Sequence, residues 1–136
     1  MFNKKAKPDT ILAEKKYSVL SEGVTVTGEV KIKDDLRVDG NVEGNISCEG
    51  KVIIGPNGCV SGNIESKSIE LMGKVNGNIL VHDIIVLKSS SYYDGDITAL
   101  NIEIEAGANF FGNCKMINNR KSEKDMMIVE DNSLYN

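Results

Sequence analysis

Six copies of one pattern, apolar-x-Gly-x-apolar, recur along the chain at a nearly constant spacing. Successive glycines of the pattern lie 16, 18, 15, 18 and 17 residues apart. This spacing is too long for a hairpin unit and too short for a strand-helix repeat, so one copy is predicted to be one turn of a coil. The copies are Val26-x-Gly28-x-Val30, Val42-x-Gly44-x-Ile46, Val60-x-Gly62-x-Ile64, Val75-x-Gly77-x-Ile79, Tyr93-x-Gly95-x-Ile97 and Phe110-x-Gly112-x-Cys114.

A second apolar pair with alternate spacing follows each of the first five glycines after seven or eight residues. The pairs are Leu36 and Val38, Val52 and Ile54, Ile69 and Leu71, Ile84 and Val86, and Ile102 and Ile104. Alternation with period two indicates short strands with one buried face, and no stretch from Val24 to Met116 keeps helical spacing. The chain is therefore predicted to be all-β: a single-domain parallel β-solenoid of about six turns, with two or three strands in each turn.

Glycine and turn-forming residues separate the pairs and predict the corners of the coil. The position after each motif glycine forms a polar column: Glu29, Asn45, Asn63, Asn78, Asp96 and Asn113. Asparagines stacked on adjacent turns can form a ladder of side-chain amides, and asparagine is also simply a good turn residue. The sequence leaves both explanations open, and neither makes the column catalytic.

Charge divides the chain into a basic arm and an acidic body. Residues 1–16 carry a net charge of +3 and residues 17–136 carry −7. An acidic body disfavours nucleic-acid binding, which requires clustered lysine and arginine. Residues 1–17 and 118–136 lack the repeat and are predicted to be disordered tails flanking a domain at 18–117. The N-terminal tail is either an ordinary soluble arm or a peptide that binds an anionic membrane. In the second case the residues that contact the membrane would be Met1, Phe2, Lys4, Lys5 and Lys7.

Candidate chemistry is sparse. His82 is the only histidine, and the three cysteines, Cys48, Cys59 and Cys114, have no metal-ligand spacing, so they are expected to be free thiols. No glycine-rich phosphate loop ending in Lys-Ser or Lys-Thr is present. We therefore expect no catalytic residue, no cofactor, no nucleotide and no metal. Without a signal peptide or a membrane-spanning run, the chain is expected in the cytoplasm.

The residues resemble one known family. The stretch Leu36-Arg37-Val38-Asp39-Gly40-Asn41-Val42-Glu43-Gly44-Asn45-Ile46 and the stretch from Val52 to Gly58 are similar to the bactofilins, bacterial polymer-forming cytoskeletal proteins. The resemblance covers residues 18–117. It implies a right-handed β-helix that polymerises end to end without nucleotide. It also implies a membrane-targeting peptide, which residues 1–7 resemble, although the proline-rich tails of many relatives are missing.

The resemblance implies a homopolymer that lies at the inner face of the cytoplasmic membrane and scaffolds cell-shape or cell-wall machinery. Its partners would be cell-wall enzymes or other morphogenetic proteins. Open coil ends would be the polymerisation interface, formed by Leu20, Val24 and Val26 at one end and by Phe110 and Phe111 at the other. Phe111 is expected to matter most, because Phe110 falls in the inward column of Val26. The junctions are expected to be isologous, giving a filament without polarity.

Two other classes compete with this interpretation. A monomeric β-helix could present a flat binding face, and its size in solution would distinguish it from a polymer. A hexapeptide-type acyltransferase requires apolar residues spaced by six and a histidine base, whereas the spacing within one turn here is uneven, from Val60 to Ile64, Ile69 and Leu71.

Overall fold

The computed structural model describes residues 16–117, in which every regular element is a strand. The strands form three parallel sheets that run side by side along the whole domain. Sheet A contains β1 (Tyr17–Leu20), β4 (Asp35–Val38), β7 (Lys51–Ile54), β10 (Ser68–Leu71), β13 (Ile84–Leu87) and β16 (Asn101–Ile104). Sheet B contains β2 (Thr25–Thr27), β5 (Asn41–Glu43), β8 (Cys59–Ser61), β11 (Lys74–Asn76), β14 (Tyr92–Asp94) and β17 (Asn109–Phe111). Sheet C contains β3 (Val30–Ile32), β6 (Ile46–Cys48), β9 (Ile64–Ser66), β12 (Ile79–Val81), β15 (Ile97–Ala99) and β18 (Cys114–Met116).

Three consecutive strands, one from each sheet, make one coil of the solenoid. Coil 1 is β1 to β3, coil 6 is β16 to β18, and each strand pairs in parallel only with its equivalents one coil away. The predicted all-β solenoid of about six turns is confirmed, with three strands in each turn. Residues 1–15 and 118–136 of the predicted tails lie outside the described residues, and Tyr17, predicted in the N-terminal tail, is the first residue of β1.

The core is a stack of aliphatic side chains that continues from coil to coil. Val42 pairs with Val60, Val60 with Val75, and Val75 with Tyr93, and all four side chains are buried. Because every apolar column repeats in this way, each of coils 2 to 5 buries its inward side chains against the coils on both sides. Full burial of one such aliphatic side chain stabilises a fold by about 1.5–3 kcal/mol.

The predicted inward pair of coil 5 was wrong by one residue. Ile85 and Leu87 are buried and pair with Ile69 and Leu71, whereas Ile84 and Val86 point outward from sheet A and are half-buried. The strand β13 is apolar at all four positions, so alternation in the sequence could not distinguish its two faces. The pairing with β10 sets the register.

The motif glycines form the corner between sheets B and C. Gly44, Gly62 and Gly77 have φ between 145° and 158°, and a Cβ added to any of them would collide with the carbonyl oxygen of the glycine one coil before. The corner therefore excludes any side chain, because the backbones of neighbouring coils meet there.

The polar column beside these glycines is a hydrogen-bonded ladder. The backbone N–H of Asn63 donates to Oδ1 of Asn45, that of Asn78 to Oδ1 of Asn63, and that of Asp96 to Oδ1 of Asn78, at 2.9–3.1 Å. Asp96 accepts in the same way from the backbone N–H of Asn113. The bonds run from backbone to side chain and need only an acceptor oxygen, which explains why aspartate can stand in the column.

Candidate functional site: the two open ends of the solenoid

The C-terminal end of the solenoid exposes the cross-section of the core. Leu87 and Ala99 are fully buried in coil 5, whereas their partners in coil 6, Ile104 and Met116, are 47% and 56% exposed. Cys114, in the column of the buried Ile97, is exposed as well. Within residues 16–117 no further coil or helix covers this end, so apolar columns that continue through the domain stop in solvent.

Phe110 closes part of this end from inside the coil. Its ring stacks on that of Tyr93, with centroids 5.6 Å apart and planes 23° apart. Tyr93 is fully buried, and its single hydroxyl proton is shared between the backbone oxygens of Gly77 and Asp96, which lie 2.6 and 2.9 Å from the hydroxyl oxygen. Burial, with the nearby carboxylate of Asp96, raises the pKa of Tyr93 far above its usual value. The Phe110 ring thus rests on a fixed platform with its other face toward the end.

Phe111 points out of sheet B, on the side of the solenoid and not into the end. Its side chain is 52% exposed and its ring lies 5.4 Å from that of Tyr92 at an angle of 45°. The ammonium group of Lys74 lies 5.3 Å from the centre of the Tyr92 ring. Geometry alone therefore gives Phe110, Ile104 and Met116 the more direct access to a neighbour stacked on coil 6.

At the N-terminal end no element of residues 16–117 lies beyond coil 1, and the side chains there are smaller. Leu20 and Val26 pack against the core and are half-buried, as are Val30 and Ile32 of the same coil. Val24 is 39% exposed and follows the turn between β1 and β2. The strands β1, β2 and β3 are the edges of their sheets, as β16, β17 and β18 are at the other end. Both ends thus present edge strands, which are ready to pair with another chain, around an apolar centre.

The sequence analysis named part of this surface and missed the rest. The structure places Leu20, Val26 and Phe110 in the two open ends, with Val24 at the rim and Phe111 on the flank. Ile104, Met116, Val30 and Ile32 were missed. The repeat contained the signal, because the inward columns of the first and last copies necessarily form the two end surfaces.

The thiols occupy three different environments. Cys48 is buried, donates from Sγ to the backbone oxygen of Asp34 at 2.9 Å, and has a pKa raised by burial. Cys59 is half-buried on the outer side of sheet B, and Cys114 lies in the open C-terminal end. All three are free thiols, as the sequence predicts, and only Cys48 is buried.

His82 is exposed and directly follows β12. Its Nε2 lies 3.0 Å from Oε2 of Glu65, one coil away. An open groove of about 490 Å³ follows sheet C along the asparagine column. Among residues 16–117 there is no cluster of three or more histidine, cysteine or acidic side chains suited to a metal ion. The same residues include no helix that is long and apolar enough to cross a membrane. The predicted membrane residues Met1, Phe2, Lys4, Lys5 and Lys7 lie outside the described part of the chain.

The fold and its ends define a class: a parallel β-helix whose two ends, among the described residues, have no cap and expose edge strands around apolar columns. A sequence model for bactofilins, described as polymer-forming cytoskeletal proteins, matches residues 18–115. The chain belongs to the bactofilin family.

The chain is similar to characterised bactofilins over most of its length. It is 35% identical to bactofilin BacO of Myxococcus xanthus (strain DK1622) over 99 residues, which are 73% of this chain and 79% of BacO. The cryo-EM reconstruction of Thermus thermophilus bactofilin double helical filaments matches with a TM-score of 0.67 and 29% identity, covering 71% of this chain and 96% of that one. The solid-state NMR structure of the cytoskeletal bactofilin BacA matches with a TM-score of 0.67 and 33% identity, covering 75% and 97%.

Proposed function

We propose that this chain assembles end to end, without nucleotide, into filaments that lie at the cytoplasmic face of the membrane and scaffold cell-shape or cell-wall machinery. The observation that carries the proposal is the pair of open ends. Each exposes apolar columns and three edge strands, and a second copy stacked on the end would cover both. The family and the filament structure of a relative support the same assembly.

The two ends differ in chemistry, which favours contact between like ends. The C-terminal end combines Phe110, Ile104 and Met116, whereas the N-terminal end presents the smaller Leu20 and Val26. A two-fold contact joins identical surfaces, so each end would meet its own copy. A filament built from two alternating junctions has no polarity, and the sequence offers no phosphate loop through which nucleotide could drive its growth.

An arginine at position 104 tests the C-terminal junction. Ile104 is half-exposed in the end, so Ile104→Arg leaves the interior intact while placing a charge where the apolar surface must lose its water. The matched control is Leu80→Arg, an outward position on sheet C in the middle of the solenoid. We expect the control to form filaments and Ile104→Arg to stop at dimers joined through the N-terminal end, as measured by sedimentation and electron microscopy.

Filaments of Ile104→Arg as long as those of the wild type would contradict the assignment of this end. The Phe111→Arg variant completes the series. The sequence alone predicts the larger effect for Phe111, and the geometry predicts it for Ile104. Addition of ATP, GTP or chelator should leave the sedimented fraction of wild-type protein unchanged, and a dependence on nucleotide would contradict that part of the proposal.

The membrane part of the proposal concerns the N-terminal arm. Lysines near an anionic surface contribute about 1 kcal/mol each, and a filament displays many arms at once. Removing residues 2–7 should therefore release filaments from liposomes containing anionic lipid without dissolving the filaments. If the shortened protein still co-sediments with such liposomes as the full chain does, the arm has no such role.

A further inference from the structure

The chain leaves the solenoid at its C-terminal end, at the corner where sheet C leads into sheet A. The backbone N–H of Ile117, directly after β18, donates to the backbone oxygen of Ala99 at 2.7 Å. One coil earlier, Ala99 ends β15 and the next strand of sheet A begins at Asn101. A seventh strand of sheet A would therefore be formed by the residues that directly follow Ile117.

The sequence does not supply the side chains for a seventh coil. In β4, β7, β10, β13 and β16 the inward residues lie either three and five or four and six positions after the last residue of the preceding strand of sheet C. Counted in the same way from Met116, all four candidate positions are polar: Asn119 and Lys121, or Arg120 and Ser122. The aliphatic columns of the core thus cannot continue past coil 6 along the chain.

The next apolar residues form a run of four, Met126-Met127-Ile128-Val129, which we call the tail segment. Residues 118–125 separate it from the solenoid, and these eight residues, when extended, span about 26 Å. An edge strand of four residues at the C-terminal end is about 13 Å long. The tail segment can therefore reach each of the three edge strands of this end.

The C-terminal end offers such a segment both an apolar surface and backbone partners. Ile104 is 47% exposed, and among the described residues no strand pairs with β16 on its far side. An extended segment laid along an edge strand forms main-chain hydrogen bonds with it, and its alternate side chains face the surface below. Methionine is flexible and suits an irregular surface such as the one formed by Ile104, Phe110 and Met116.

Charge favours the same contact. Residues 118–125 contain three basic and two acidic side chains, a net charge of +1. Residues 101–117, which contain coil 6, have one basic and two acidic side chains, a net charge of −1, and Glu103 is exposed on β16. The residues that lead to the tail segment are therefore attracted to this end and not repelled by it, more strongly at low salt than at high salt.

We propose that the tail segment pairs with β16 and caps the C-terminal end of the free molecule, so that a second copy must displace it to form the C-terminal junction. A segment on a short tether acts at an effective concentration of about 1 mM, far above the concentration of other copies in dilute solution. A second copy covers all three edge strands and therefore displaces the cap as the protein concentration rises. The inference rests on the proposed assembly through the ends, to which it adds a control on when assembly begins.

Two acidic residues in the tail segment separate the cap from the filament contact. The double variant combines Met127→Asp with Ile128→Asp and changes no residue of the solenoid. Successive side chains of an extended segment point to opposite sides, so one of the two carboxylates must face the apolar end, where losing water is costly. The matched control combines Asn132→Asp with Ser133→Asp, which adds the same charge beyond the tail segment.

We expect the double variant to form sedimentable filaments at a lower protein concentration than the wild type and the control. A cap that is closed in about 90% of free molecules leaves about a tenth of them able to assemble, so its loss should lower the threshold concentration about tenfold. Equal thresholds for the double variant and the wild type would overturn the inference and leave the proposed function intact. A higher threshold for the double variant would also overturn it, because the tail segment would then belong to the filament contact.

Hydrogen exchange tests the cap without filaments. Below the assembly threshold, the backbone amides of β16 that face the open end should exchange about tenfold more slowly in the wild type and the control than in the double variant. Equal exchange in the three proteins would overturn the inference. Wild-type protein that shows this protection but forms no filaments at any concentration would support the cap and overturn the proposed assembly through the ends.

Discussion

At the scale of the residue, the motif glycines hold the coils at their closest approach. Gly77 has φ 145°, and a Cβ there would collide with the backbone oxygen of Gly62, whereas Gly28, at φ 123° in coil 1, has open space around an added Cβ. The two positions share a backbone conformation that favours glycine but differ in whether another coil lies behind them. Alanine substitutions at these two positions therefore separate the free-energy cost of the backbone angle from the cost of the collision with the neighbouring coil.

Alanine at these two glycines should give unequal losses of stability. Gly28→Ala is expected to lower the free energy of unfolding by about 1–3 kcal/mol through the backbone angle alone. Gly77→Ala should lose about 1–3 kcal/mol more, because the collision forces two coils apart. Thermal unfolding followed by circular dichroism measures both, and equal losses would contradict the close contact.

The raised pKa of Tyr93 predicts a loss of stability at alkaline pH. Its pKa is raised in the folded chain, so above about pH 10 the unfolded chain gives up a proton that the folded chain keeps. Stability contributed by Tyr93 is thus complete below pH 10 and is lost as the pH rises further. In Tyr93→Phe the free energy of unfolding should fall less steeply above pH 10, and at neutral pH it should be about 1–2 kcal/mol lower because the hydroxyl no longer forms a hydrogen bond. Tyr92→Phe, at an exposed ring, should show the same alkaline loss of stability as the wild type. Denaturant unfolding between pH 8 and pH 11 would contradict the prediction if both variants responded alike.

At the scale of the element, the asparagine column joins successive coils outside the core. Each side chain in the ladder supplies an acceptor oxygen to the backbone of the next coil, which is neither of the two explanations that the sequence left open. Both explanations treated the side chain alone. The backbone N–H that it meets belongs to the neighbouring coil, and its position follows only from the register.

The ladder predicts that aspartate can replace asparagine but alanine cannot. Asn63→Asp keeps the acceptor for the backbone N–H of Asn78, and Asp96 already fills this role one step along the column. Asn63→Ala loses the acceptor and should cost about 1 kcal/mol. Thermal unfolding of the two variants gives the answer, and a larger loss for aspartate than for alanine would favour a ladder of amides.

The sequence was sufficient for the repeat, the number of coils and nearly all of the core, because a period of 15–18 residues with alternating apolar positions has few solutions. It failed at β13, where four apolar residues in a row carry no information about which face is inward. It also could not show on which surface Phe111 lies. Two adjacent phenylalanines must point to opposite sides of a strand, and only the position of sheet B shows that the outward one lies on the flank.

At the scale of the whole molecule, the solenoid is a short rod whose two ends remain uncovered by the described residues. Its six coils, at about 4.8 Å each, give a length of roughly 29 Å. The ends offer edge strands around an apolar centre, so copies that stack end to end would be spaced by about one rod length along the axis.

The axial repeat of the assembled protein tests the central claim most directly, because it reports which surface lies between neighbouring copies. Cryo-electron microscopy of purified full-length protein should show filaments with a subunit spacing of about 29 Å along the axis, and a full repeat near 58 Å if like ends meet. A protein that stays at 14.8 kDa under these conditions, or filaments whose subunits are spaced much more closely than one rod length, would contradict assembly through the open ends.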